Sequence, residues 1–299
     1  MLPRFQQCPT MTTTSGRNVH ERNRAGCTRF SEGKNLINKW QAAGSVVTGA
    51  NHIRQDLECQ DALGIHTDES GFLIIAAADG HGSKSCPHSS DGARIAVRTA
   101  TKLLSSILMQ NLKEAQFTLS ANKDDRIPKQ LEIMWKEAVK EHHEKKGRDA
   151  SDSLFTLYGT TLSAVAATND FVFFIKVGDG DIVMIGEGGA AEILPVEEKI
   201  GEDTESLCLD EAWKYVHTHI MQLTEDKALM FLVSTDGYSN SFTDRAGFMK
   251  AGEDIYKLWL TDGLESIKES LPHWLRQSSD KGSGDDISLG VVVSKSPSD

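Results

Sequence analysis

Five aspartates stand where apolar runs stop or start. "AAADGHG" sets Asp79 and His81 directly after the apolar run 72–78, "IKVGDGD" reaches Asp179 as its run ends, and "FLVSTDG" reaches Asp236 in the same way. "GSGDDISLG" places Asp285, with Asp286 beside it, just before a run, and "ECQDAL" places Asp61 before a shorter one. Asp-Gly is a common turn dipeptide, so each of these alone reads as a turn residue. Five in one chain supply what a hard cation needs: oxygen ligands on rigid elements, with glycines that let carbonyls and water approach. His81 has no place in a tight glycine turn unless its imidazole has a task. Among oxygen ligands it is better suited to moving a proton than to holding Mg²⁺ or Mn²⁺.

The elements that must position these groups follow from the apolar pattern. Strands are expected at 43–48, 72–78, 160–167, 171–177, 181–186, 229–235 and 287–293, several joined by short turns. Two long helices fit between the second and third. The first opens at a Ser89-Ser90-Asp91 cap and carries Ala93, Ala96, Val97, Ala100, Leu103, Leu104, Ile107 and Leu108 on one face; the second presents Leu131, Met134, Trp135, Ala138 and His142. Helix pairs between runs of hairpin-linked strands imply an α+β protein with mostly antiparallel sheets.

With 299 residues, 39% of them hydrophobic and 25% charged, the chain can bury a substantial core as an ordinary globular protein. No apolar stretch reaches the ~18–20 residues that span a bilayer, and the arginine-bearing N-terminus lacks a signal-peptide core, so a cytoplasmic address is expected. The five cysteines, Cys8, Cys27, Cys59, Cys86 and Cys208, are odd in number and contain no C-x-x-C pair, so free thiols are expected rather than disulfides or a zinc site. Residues 1–38 are polar and aperiodic and read as a disordered basic tail, with a domain over 39–296. The net charge of −11 combines +5 over residues 1–40 with −16 over the rest, a poor match for nucleic acid, whose phosphates are gripped by Lys and Arg.

"AAADGHG", "YGTTLSAVAA", "IKVGDGDIVMI", "FLVSTDGYSNSF" and "GSGDDISLGVVV" together resemble, in order and approximate spacing, the metal-dependent PP2C (PPM) protein serine/threonine phosphatases. "GANHIRQDLECQDA" is more similar to their divergent bacterial branch. The resemblance covers about 44–294 and implies a PP2C-like αββα sandwich, two packed antiparallel sheets flanked by helices with a metal cluster at one end. It implies that Asp79 bridges two Mn²⁺ or Mg²⁺ ions, that the Gly80 carbonyl binds one of them, and that Asp236 and Asp285 complete the shell. Asp61 would act mostly through metal-bound water, and Asp179 with Asp236 would hold a weaker third ion, as in several members. Attack by a water activated between two cations needs no side-chain nucleophile, and His81 would protonate the leaving serine or threonine oxygen as general acid. Two positions depart from the family: Gln60 stands where Glu is usual, and the phosphate-binding arginine falls on Asp56. Arg54 and His52 are the substitutes, with Arg54 preferred for its bidentate grip. The implied partners are a phosphorylated protein and a cognate Ser/Thr kinase, with the chain a monomer that binds neither nucleic acid nor membrane. The alternatives are hydrolysis of a non-protein phosphoester, or an inactive module that kept the fold. The segment between Gly186 and Asp226 corresponds to the family's variable flap and is expected to hold a loop and a helix.

Overall fold

A computed structural model describes residues 39–148, 153–194, 205–223 and 227–294; the tail at 1–38, with Cys8 and Cys27, lies outside the described residues. The elements run β1 (Trp40–Val47), α1 (Ala50–Gln55), β2 (Ala62–Asp68), β3 (Phe72–Ala78), α2 (Ser89–Leu108), α3 (Leu112–Asn122) and α4 (Arg126–Lys145) in the first half. They continue as β4 (Leu162–Ala167), β5 (Phe171–Val177), β6 (Asp181–Gly186), β7 (Gly189–Glu192), β8 (His217–Gln222), β9 (Met230–Ser234), α5 (Asp236–Ser239), α6 (Arg245–Lys281) and β10 (Ile287–Ser294). Two five-stranded sheets result, ordered β1-β10-β9-β6-β7 and β2-β3-β4-β5-β8, with every pairing antiparallel.

The central strands are apolar without alternation because both of their faces are covered. In β3, Leu73, Ile75 and Ala77 point between the sheets, where they meet Val165, Phe174, Phe231 and Val292. The alternate residues Phe72, Ile74, Ala76 and Ala78 point outward under α2 and α4. The period of two is intact and only its polar phase is missing. The other sheet is covered by α6, whose Phe248, Ile255, Trp259, Leu271 and Leu275 pack on Val183, Leu232 and Val291. This is the αββα sandwich that the motifs imply. Trp135 sits fully buried on α4, with its indole N–H donating to the Gly92 carbonyl at 3.3 Å. Trp135→Ala is expected to cost about 3–5 kcal/mol in urea unfolding at unchanged far-UV CD.

Several expectations are corrected. Residue 88, not the Ser-Ser-Asp run, caps α2, without a side-chain cap bond; the Ser90 hydroxyl donates instead to Glu58 (2.6 Å) and Asp91 pairs with Arg94 (2.8 Å). The described part of the 186–226 segment forms β7, a 3-10 turn at Ala212–Tyr215 and edge strand β8, not a helix; 195–204 and 224–226 lie outside the described residues. In β8 the exposed His217 and His219 alternate with Thr218 and Ile220, a period-two pattern on which an edge strand needs only one covered face. Cys59, Cys86 and Cys208 are free thiols, as expected. Among the described residues no helix is long and apolar enough to cross a membrane.

Candidate active site

The loop after β3 is held by its backbone. Asp79 N–H donates to Thr161 Oγ1 (3.1 Å), and its carbonyl accepts from Thr161 N (2.9 Å) and Thr160 Oγ1 (2.8 Å). Gly80 N–H donates to the Gln60 carbonyl (3.2 Å) and His81 N–H to that of Gly159 (3.0 Å). A side chain at residue 80 would come within 2.7 Å of the Ser89 backbone, so glycine is what lets the loop lie against the start of α2. A strand can thus end in Asp79 and His81 because β4 and the chain before it fix both at the sheet's rim. Gly159 is equally confined: an added Cβ would lie 2.7 Å from the His81 ring, 3.1 Å from Cys86 Sγ and 3.3 Å from Cys208 Sγ.

The other carboxylates arrive from separate elements. Asp236 opens α5 and accepts from Asn240 Nδ2 (2.9 Å); Asp285, just before β10, accepts the Asp286 N–H (2.9 Å); Asp179 lies in the β5–β6 turn after Gly178, whose φ is 92°. Asp79, Asp179, Asp236 and Asp285 line one cavity of about 250 Å³ together with Gly80, His81, His52, Gln60 and Asp286. Asp61 is 4% exposed and does not line it; its Oδ2 accepts from Thr235 Oγ1 (2.7 Å), while Oδ1 is buried with no hydrogen-bond partner. Arg54 stays outside, exposed on α1 and bonded to Asn51.

Burial, and then mutual repulsion, sets the ionisation of this cluster. Burial pushes Asp79 well above the usual carboxylate range, and the charges of Asp61, Asp236 and Asp285 push it further. Burial likewise raises Asp61, with Asp286 adding to it. Asp236 is pushed up to about 6, by burial first and then by Asp179 and Asp285. Such a site gains free energy from any positive charge it admits, a proton or a cation. The donors are carboxylate and carbonyl oxygens, the set suited to Mg²⁺ or Mn²⁺, and the unpartnered Asp61 oxygen fits the same need. Among the described residues no three acidic, His or Cys side chains already converge on one point. Burial holds His81 below the ordinary histidine value, with Asp179 opposing.

Sequence reasoning noted Asp286 beside Asp285 but gave it no role, and it missed Lys176. Asp286 is 3% exposed and accepts from Gly49 N (2.6 Å), Gln60 N (2.6 Å) and His52 Nδ1 (2.9 Å). The doubled Asp in "GDDIS" was its one sequence signal. Lys176, 3% exposed at the end of β5, is lowered below the usual lysine value by burial first, with the charge of Asp181 opposing the shift.

The protein phosphatase 2C family model matches residues 48–276. A search of curated proteins returned no match. Among solved structures, a bacterial serine phosphatase is 15% identical, with 86% of this chain and 98% of that one covered at a TM-score of 0.57. A serine/threonine phosphatase from Staphylococcus aureus is 16% identical (88% and 98% covered, TM-score 0.56). The catalytic domain of a serine/threonine protein phosphatase in complex with two manganese ions is 14% identical (85% and 97%, TM-score 0.52). At these identities the likeness is one of fold.

Proposed function

Because the chain belongs to the protein phosphatase 2C family, we propose that it is a phosphatase that removes phosphate from serine and threonine in proteins, with Mn²⁺ or Mg²⁺ as cofactor. The observation that carries this reading is the meeting of Asp79, Asp179, Asp236 and Asp285, from four separate segments, in one cavity with His81. In it Asp79, the Gly80 carbonyl, Asp236 and Asp285 would hold two ions, Asp61 would contribute mostly through water, and Asp179 with Asp236 would take a third. When bound, the pair supplies an activated water and neutralises charge building on the phosphoryl group. His81 carries the proton that the leaving seryl or threonyl oxygen needs, and the 39–296 domain is the catalytic unit. The phosphate oxygens are gripped by a cation from α1, either His52, which lines the cavity, or Arg54, which must swing in from outside. The substrate is then a phosphoprotein whose phosphate a Ser/Thr kinase has placed.

The test is hydrolysis of phosphoserine and phosphothreonine peptides against a panel of phosphorylated metabolites, with Mn²⁺ and with EDTA. Peptide turnover at least tenfold above the panel, lost in EDTA, is the expected result. Preference for a metabolite would overturn the protein substrate, and inertness on every phosphoester would overturn the activity.

A further inference from the structure

We propose that Asp286 is a positioning residue that aims His52 at the substrate phosphate, so that an aspartate–histidine pair does in this chain what an arginine would otherwise do. The proposal rests on the phosphatase reading above and names the group that grips the phosphate. Two segments meet on the Asp286 carboxylate: from α1, whose N-cap is Gly49, Oδ1 accepts the Gly49 N–H and Oδ2 bonds His52 Nδ1, and from the chain just before β2 Oδ2 accepts the Gln60 N–H. The Gln60 carbonyl in turn holds Gly80 N–H, so one buried carboxylate ties the imidazole to the loop that carries Asp79. With Nδ1 committed to Asp286, Nε2 is the ring nitrogen left for a ligand in the cavity that His52 lines. Arg54 is turned away onto Asn51, and Asp56 is exposed at the left-handed end of α1 (φ 56°), so neither brings a charge to the cavity.

A carboxylate bonded to one imidazole nitrogen fixes its orientation and favours its cationic form. His52 is held above the ordinary histidine value, by the Asp286 hydrogen bond first; burial opposes this, and the charges of Asp286 and Asp285 add to it. These two aspartates are the charged groups facing the ring from the β10 side, and the β2 side presents the neutral Gln60. The sign follows: a raised histidine keeps its charge to higher pH than an ordinary one and loses it as pH climbs through the raised value. Phosphate grip should therefore weaken on the alkaline side, which an arginine, charged throughout, would not show.

The experiment is two-dimensional NMR of the histidine ring nitrogens in the full chain with Mg²⁺, the His52 signal being assigned by its loss in His52→Gln. The expected results are a titration midpoint above 6.5 and a shift of the signal on adding inorganic phosphate. Asp286→Asn should lower the midpoint and weaken phosphate by about 10- to 100-fold, the value of a charged hydrogen bond. His52→Arg should keep phosphate affinity and flatten its dependence on pH. A His52 signal unmoved by saturating phosphate would overturn the proposal, as would Asp286→Asn leaving midpoint and affinity unchanged. If Asp286→Asn does not fold, His52→Arg decides, because phosphate binding that still falls with rising pH in that variant refutes the role of His52. None of these readouts needs turnover: phosphate bound in this way by a chain that hydrolyses no phosphopeptide supports the pair and refutes the activity.

Discussion

Asp79→Asn and Asp236→Asn are each expected to lower Mn²⁺-supported turnover by about 10³-fold or more, the rate equivalent of several kcal/mol of lost metal-ion stabilisation. The same two variants should gain stability in EDTA. Both carboxyls are raised in the folded chain, by burial before anything else. An acid so raised binds its proton more tightly folded than unfolded, so stability falls as pH climbs from the unfolded carboxyl range, near 4, towards the raised folded value. At neutral pH these groups therefore weaken the metal-free protein, and asparagine, which has no charge to desolvate, removes that penalty. Urea unfolding at pH 7.5 in EDTA, beside Mn²⁺ titration calorimetry, would measure both halves. Full activity in EDTA would sink the metal reading, and variants less stable than the wild type in EDTA would show that these carboxylates serve the fold instead.

The opposition between activity and stability also explains which parts of the site were legible. A carboxylate at the end of an apolar run works against burial, and Asp61, Asp79, Asp179, Asp236 and Asp285 stood out for that reason. Asp286 stands beside Asp285 at the same strand start, but its task is not legible there: its three donors lie at Gly49, His52 and Gln60, more than two hundred residues earlier in the chain. The preference for Arg54 rested on side-chain chemistry alone, and chemistry does not say which way one turn of helix faces. Among the strands, β3, β4, β5, β9 and β10 were readable as predominantly apolar runs. β7 and β8 were hidden by being short edge strands with one wet face. α6 was blurred by Gly263, at φ 80°, and by Pro272, which break the register of its apolar positions.

His81→Gln is expected to reduce turnover of a phosphoserine peptide by about 10²- to 10⁴-fold, and that of p-nitrophenyl phosphate by distinctly less. A serine alkoxide must be protonated as it leaves, whereas p-nitrophenolate is stable without a proton. Because burial holds His81 below the ordinary histidine value, its acid form is most populated on the acidic side. In the wild type the peptide rate should accordingly fall with rising pH through that value, while the p-nitrophenyl phosphate rate is flatter. Both substrates should be measured at saturating Mn²⁺, with metal affinity read separately by calorimetry. Equal losses on the two would remove the general-acid role, and a collapse of metal affinity would recast His81 as a ligand or a support.

The position of β10 bears on how the protein is made. It lies between β1 and β9, paired along its whole length with β1 from Trp40↔Ser294 to Val47↔Ile287, and Asp285 and Asp286 enter the cavity just ahead of it. During synthesis β1 and β9 must wait with open edges until 285–294 clear the ribosome, and an open edge invites pairing with other chains. The nascent chain meanwhile has Asp61, Asp79 and Asp236 but lacks Asp285 and Asp286. Closure of the sheet and completion of the acidic cluster are therefore one event. An intermediate without β10 would be aggregation-prone and would carry an incomplete acidic cluster until that strand arrives.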